Sequence, residues 1–354
     1  MLLARRLRHD RVSASLAARS EGELTAFVQA ASLHGVGVGG SSLIADADGV
    51  PVFVKRIPIT DRELAHPHST ANLFGLPVRR QYGMYRRPGP GFGAWRELAA
   101  NQIVTEGVLA GETESFPLLY HWRVLPGRPP VAAEHLDVEA VVAQFGGDQA
   151  VQARFEALAD ATASLVLFLE HLPDGLPRWL NDPAGRAATM ERQLFEMVAF
   201  LRQRRLLHLD GHFGNIRADD DQLYLVDFGL ATSPRFDLSD AERDFVARNA
   251  GHDADYAAMR LVNWLVTSAC GVPVPAGGRP VARDRFVRRC ASGAIPRDVS
   301  PLVADIIARH APAAARMNDF CGRLFDGDLQ AEYPATVDAG AATVPLSCRD
   351  SAGE

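Results

Sequence analysis

Residues 208–229 read His208-Leu209-Asp210-Gly211-His212-Phe213-Gly214-Asn215, then a polar turn around Asp219-Asp220-Asp221, then Leu223-Tyr224-Leu225-Val226-Asp227-Phe228-Gly229. Asp210 and Asn215 are close in sequence. A short apolar run then carries the chain to Asp227. Asn and Asp side chains offer the oxygen ligands that hard cations such as magnesium prefer. A further Asp beside them can orient a hydroxyl and accept its proton. The polar Asp219–Asp221 stretch makes the turn between two short strands.

This spacing resembles the catalytic core of the protein-kinase-like superfamily, which contains protein kinases and small-molecule kinases of the aminoglycoside and choline type. The resemblance implies an α+β, bilobal protein-kinase-like fold. It would have a small antiparallel β N-lobe, a mainly helical C-lobe and two insertions in the N-lobe. It implies ATP and Mg2+ as cofactors and an acceptor hydroxyl as partner. Asp210 would act on the acceptor, Asn215 and Asp227 would bind magnesium, and His208 would tie the loop to the segment around Asp227.

Upstream, His34-Gly35-Val36-Gly37-Val38-Gly39-Gly40-Ser41-Ser42 precedes Asp46-Ala47-Asp48-Gly49 and then Val52-Phe53-Val54-Lys55. An Asp-Gly turn between apolar runs reads as a β-hairpin. Glycines let backbone N–H groups approach phosphates closely. The phosphate-cradling set is Gly35, Gly37 and Gly40, or Gly37, Gly39 and Gly40, with Ser41 and Ser42 as added donors. By resemblance, Lys55 would contact the α- and β-phosphates. A helix over 93–110 carries its candidate carboxylate partners, Glu97 and Glu106. They lie about two and a half turns apart, so they face opposite sides. Trp95-Arg96-Glu97-Leu98 matches the family's helix better, which favours Glu97. The apolar run Leu165–Leu169, turning polar at Glu170 and His171, resembles the lobe-connecting hinge. There the Glu170 carbonyl and the Leu172 N–H would bind adenine, with Leu169 at its side.

The division expected is a helical extension over 1–33, the N-lobe over 34–169 with insertions at 58–92 and 128–163, the C-lobe over 170–330 and a tail over 331–354. Strands are expected at 116–125 and 165–173, and helices over 134–163, 187–205 and 239–325. One of these is capped by Ser239 with Glu242. The 58–92 insertion carries Arg79, Arg80, Arg86 and Arg87. It reads as an acceptor-binding lid or as a solvated basic loop. His252, Asp253 and Asp255 read as a solvated helix start.

Two departures from the protein-kinase pattern bear on function. Leu209 stands where an Arg commonly precedes the catalytic Asp, so no activation by loop phosphorylation is expected. His212 stands where many protein kinases have Lys, and it resembles the aminoglycoside and choline branch. No Ala-Pro-Glu follows Asp227, although Asp227-Phe-Gly-Leu-Ala itself is closer to protein kinases. Protein Ser/Thr and small-molecule acceptors therefore both stay open. So do a nucleotide-binding pseudokinase scaffold and another nucleotidyl transfer on the same fold.

Composition narrows the field. The chain has 354 residues, 47% of them hydrophobic, enough for two cores. A net charge of −6 argues against a general nucleic-acid binder. Cys270, Cys290, Cys321 and Cys348 form no Cys-x-x-Cys and suit free thiols in a reducing compartment. No apolar run has the length of a membrane span, and the N-terminus lacks the apolar core of a secretion signal. A cytoplasmic protein is the expectation.

Overall fold

Asp48 and Gly49 both adopt positive φ, 55° and 79°, which is what a two-residue type I′ hairpin turn requires. The Gly49 N–H donates to Asp46 Oδ1 at 2.9 Å. The turn joins β2 (Gly40–Ala47) to β3 (Val50–Ile59), in register from Ala47↔Val50 to Ser41↔Arg56. With β1 (Ser32–Gly37), β4 (Leu119–Pro126) and β5 (Ala163–Glu170) they form an antiparallel sheet of order β1-β2-β3-β5-β4. The computed structural model describes residues 2–37, 39–85, 89, 91–130 and 137–334.

Side chains alternate across a strand, so β3 serves two layers. Val52 and Val54 face α1 (Leu2–Ala17) and α2 (Glu21–Gln29), whose Leu16, Leu24 and Val28 share their core. Lys55, Ile57 and Ile59 face the other way. There Ile57 and Ile59 pack with Trp95 and Leu98 of α4 (Ala94–Ala110). The helical extension expected over 1–33 and the helix expected over 93–110 thus become covers on opposite faces of one sheet.

The 58–92 stretch is not a solvated loop. It contains α3 (Asp61–Leu64) and a 3-10 turn over Val78–Gln81. Leu76, Arg80, Gln81, Tyr82 and Tyr85 are buried. The 128–163 stretch contains α5 (Val138–Gln144) and α6 (Gln149–Ala159) before β5 begins.

One carboxylate ties the two stretches together. Glu63 closes a capping box on Thr60, accepts from the Ala94 N–H at 2.8 Å and takes both terminal nitrogens of Arg154 at 2.7 and 3.1 Å. The Glu63 carbonyl also accepts from Trp95 Nε1 at 2.9 Å. Glu63 and Arg154 are buried, and burial is the largest influence on the Glu63 carboxyl. It acts upward, yet Arg154 and the backbone donors hold the carboxyl below its ordinary value.

The rest of the described chain is mainly helical. It holds α7 (Leu176–Leu180), α8 (Pro183–Gln203), α9 (Asp240–Arg248), α10 (His252–Ser268), α11 (Val281–Ala291) and α12 (Pro301–Phe325). A small β-ribbon, β6 (Ile216–Ala218) with β7 (Leu223–Leu225), carries the turn at Asp219–Asp221. Ser239 and Glu242 form the expected capping box of α9. The fold is therefore α+β, with a small antiparallel sheet and a mostly helical remainder. Among the described residues no helix is long and apolar enough to cross a membrane. Cys270, Cys290 and Cys321 are free thiols, and Cys348 lies outside the described residues.

Glu63→Gln would leave the buried Arg154 guanidinium without a counter-charge. Breaking a buried pair from one side costs about 3–5 kcal/mol. A corresponding fall in the urea midpoint, at unchanged slope, is the expected result. A midpoint equal to the wild type would show that the charge contributes nothing.

Candidate functional site

The face of β3 that carries Lys55 opens on a cavity of about 410 Å³ between the sheet and the helical part. Lys55 Nζ lies 2.6 Å from Glu97 Oε1 and 2.8 Å from Asp227 Oδ1. Burial of Lys55 works against its charge, but the two carboxylates outweigh it and its pKa is raised. Glu97 sits one turn into α4, whose first N–H is fixed by Glu63. Glu106, further along the helix, is exposed. Helical periodicity thus leaves one glutamate for Lys55, and it is Glu97. Burial raises the Glu97 carboxyl in spite of Lys55. Asp227 is pushed up by burial but pulled down further by Lys55, so its net shift is downward.

Asp210 and Asn215 come from the loop before β6. Asn215 Nδ2 donates to the Asp210 carbonyl at 2.9 Å and to Asp210 Oδ2 at 3.3 Å. Burial and the Asp227 carboxylate raise the Asp210 carboxyl to about 7. His212 Nε2 stands 3.7 Å from Asp210 Oδ2. Burial pushes the His212 ring down to about 4, helped by Arg260 and His208.

The loop is held by contacts legible in part. Burial keeps the His208 ring neutral, its pKa lowered. Its Nδ1 accepts from the Asp210 N–H at 3.2 Å, so its Nε2–H donates to the Val226 carbonyl at 3.1 Å. That is the tie to the Asp227 segment expected of it. Asp253 corrects the reading of a solvated helix start. It accepts from the His208 and Leu209 N–H groups at 2.7 and 3.0 Å. His252, its neighbour, is buried and stacks on Tyr256. Leu209 and Asp227 both hold positive φ, 64° and 65°. Such conformations cost about 1–3 kcal/mol each and persist only where surrounding contacts enforce them.

The glycine-rich segment is placed less simply. Gly37, Gly39, Gly40, Ser41 and Ser42 line the cavity, whereas Gly35 pairs with Ser42 along the sheet and does not. This favours the second of the two glycine sets. Leu169, Glu170 and Leu172 line the cavity at the end of β5. The Glu170 side chain has a job that the sequence did not announce. It forms a buried ion pair with Arg5 of α1, at 2.6 Å, and Arg5 also donates to the Glu114 and Phe116 carbonyls. One Arg among the four of α1 carries no sequence signal for such a partner.

Residues 78–85 form a strap that passes over Asp210. Gln81 Nε2 donates to the Leu230 carbonyl at 2.6 Å, and the Tyr82 hydroxyl to Asn249 at 2.8 Å. The Tyr256 hydroxyl contacts Met84 Sδ at 2.9 Å. A Cβ on Gly83 would fall 2.5 Å from Asp210 Oδ1, and one on Gly91 would fall 1.8 Å from the Gly229 carbonyl. Only glycine permits these approaches. Arg80 is buried with its guanidinium 4.2 Å from the Phe145 ring centroid. Arg86 and Arg87 lie outside the described residues.

Asn215 and Asp227 both line the cavity. Asn215 Oδ1 and Asp227 Oδ2 accept no hydrogen bond among the described residues. Asp210, Asp227 and Glu97 together outnumber Lys55 in charge. Two side-chain oxygens suit a magnesium ion that arrives with phosphates rather than a resident metal. Among the described residues, no cluster of three or more His, Cys, Asp or Glu side chains is arranged to hold a metal. No family model matches the sequence, and the search of curated proteins gives no match.

Gly83→Ala is expected to lift the strap from Asp210. Hydrogen exchange in peptides covering 78–85 and 208–215 should speed up at least about tenfold, as local opening frees these amides. Peptides covering Lys55 and Glu97 should be unchanged. Unaltered exchange over 78–85 would show that the close approach is not needed.

Proposed function

We propose that this chain is an ATP-dependent phosphotransferase of bilobal protein-kinase-like fold, moving the γ-phosphoryl group of Mg-ATP to the hydroxyl of a small molecule. The observation that carries the reading is the convergence of Lys55, Glu97, Asp210, Asn215 and Asp227 on one cavity, from segments far apart in sequence. A loose phosphoryl-transfer transition state asks mainly for positioned charge, and these are the charges it needs.

In this reading the triphosphate lies under Gly37, Gly39 and Gly40, with Lys55 on its α- and β-phosphates. Asn215 and Asp227 would hold magnesium, which supplies charge neutralisation on the phosphates when bound. Asp210 orients the acceptor hydroxyl. As the oxygen–phosphorus bond forms, the γ-phosphorus bond to ADP breaks and Asp210 takes the hydroxyl proton. Its raised carboxyl pKa suits a group that both holds and releases that proton. Lys55, held on both sides by carboxylates, stays charged throughout.

The strap supports a small acceptor over a protein one. A peptide lying in an extended groove would need the ground next to Gly229 and Leu230. Gly91 and Gln81 already occupy it, and the Leu230 carbonyl is already satisfied. Retention of the base and both metal ligands argues against a scaffold without activity.

The test is transfer of labelled γ-phosphate to a panel of hydroxylated metabolites and to a generic protein substrate. Asp210→Asn should lower transfer about a hundredfold or more, as loss of a positioned base does. Binding of ATP should survive the change, and chelation of magnesium should stop transfer. Transfer unchanged in Asp210→Asn would sink the assignment. Label appearing on protein instead would overturn the small-acceptor reading.

A further inference from the structure

We infer that the acceptor carries an anionic group, a phosphate or carboxylate, seated against Arg260, whose guanidinium lies over the Phe213 ring. This deepens the phosphotransferase reading and rests on it for the word acceptor, but the anion site stands on its own geometry.

Arg260 lies on α10, two turns after Asp253, so both side chains issue from the same face of the helix. That face holds the loop of Asp210. The Arg260 guanidinium carbon sits 5.0 Å from the centroid of the Phe213 ring, and Phe213 is in the loop between Asp210 and Asn215. Arg260 is near enough to act electrostatically on Asp210, His212 and Tyr256. Tyr256 in turn reaches Met84 of the strap. Arg260 therefore stands beside the Asp210 loop and Tyr256, and it is not itself among the residues that line the cavity.

Its lack of a partner is unusual in that neighbourhood. Among the described residues Arg260 has no ion pair and no hydrogen bond, and its Nε is buried without a partner. Three other arginines of the helical part face carboxylates, although the Nε of Arg283 and of Arg316 is also buried without a partner. Arg283 faces Asp284 at 3.6 Å, Arg316 faces Asp255 at 3.5 Å, and Arg288 faces Asp319 at 2.9 Å. Arg217, which lines the cavity beside His212, donates only to the Gly214 and Ile216 carbonyls. A half-buried guanidinium stacked on an aromatic ring keeps its cation and its forked donors while losing water. Such a group favours a planar carboxylate or a phosphate, with which it forms charge-assisted, bidentate bonds.

The groups facing Arg260 do not cancel this. The His212 ring is neutral, and Tyr256 and Cys321 are buried and un-ionised, their pKa values raised by burial. Asp210 is the nearby carboxylate that the reaction itself uses. A cationic acceptor of the aminoglycoside or choline kind would meet Arg260 as a like charge. A hydroxy acid or a sugar phosphate would place its anion on Arg260 and its hydroxyl toward Asp210.

The experiment uses the full chain with magnesium and a non-hydrolysable ATP analogue, so that the phosphate-binding glycines are filled. Inorganic phosphate, citrate, glucose and choline are then titrated separately by calorimetry. The same titrations are made on Arg260→Gln, Arg288→Gln and Asp210→Asn. Saturable binding of phosphate or citrate, weakened at least tenfold by Arg260→Gln and unchanged by Arg288→Gln, is the expected result. Phosphate and citrate distinguish a phosphoryl from a carboxylate preference, and either one supports the site. Equal binding in Arg260→Gln, no saturable anion binding, or preferential binding of choline or glucose overturns it. Asp210→Asn should bind the anion as well as the wild type does. A repeat without the nucleotide analogue separates the two claims. Anion binding that persists and depends on Arg260, in a protein that neither binds nucleotide nor transfers phosphate, would sink the phosphotransferase reading and leave the anion site standing.

Discussion

A single ammonium group organises the cavity. Lys55 stands on the central β-hairpin, Glu97 on the helix beneath it, and Asp227 at the end of a short ribbon in the helical part. Three elements that share no local sequence are thus fixed to within a hydrogen bond of one point. The arrangement is not neutral, because two carboxylates face one cation. That imbalance keeps Lys55 charged and leaves Asp227 with an oxygen to spare.

Lys55 can be met by Glu97 only if α4 begins in the right place, and that is settled by Glu63. Its carboxylate caps α3, anchors the first N–H of α4 and neutralises Arg154 of α6. The two stretches that interrupt the sheet are therefore not decoration on a finished fold. They brace the helix that carries Glu97, and one of them continues into the strap over Asp210. Arg5 does a similar service at the end of β5 by taking up the Glu170 carboxylate, which joins the N-terminal helix to the rim of the cavity.

Order in the loop of Asp210 has its own source. Leu209 and Asp227 hold left-handed backbone conformations that ordinary residues avoid. Asp253, His208 and the Gly229 N–H supply the hydrogen bonds that keep them there. Local strain is balanced by contacts from α10 and from the strand before Asp227, which explains why the segment keeps one geometry.

Much of this was legible in the chain. The Asp-Gly turn with apolar runs on either side specifies its hairpin through local backbone preference. The 3.6-residue period of 93–110 separates Glu97 from Glu106. The spacing of Asp210, Asn215 and Asp227 brings them together because a tight loop and a two-stranded ribbon leave the chain little freedom. Such features depend on neighbours in sequence, where periodicity and turn chemistry act directly. Tertiary structure alone decided the rest. Glu63–Arg154, Arg5–Glu170 and the hold of Asp253 on residues 208 and 209 join positions tens to more than a hundred residues apart, and a charged side chain carries no local mark of its distant partner. The sequence left the 58–92 stretch open between a lid and a solvated basic loop for the same reason. Gly83 suggests a free loop, and only its approach to Asp210 shows that it is a glycine because something lies against it.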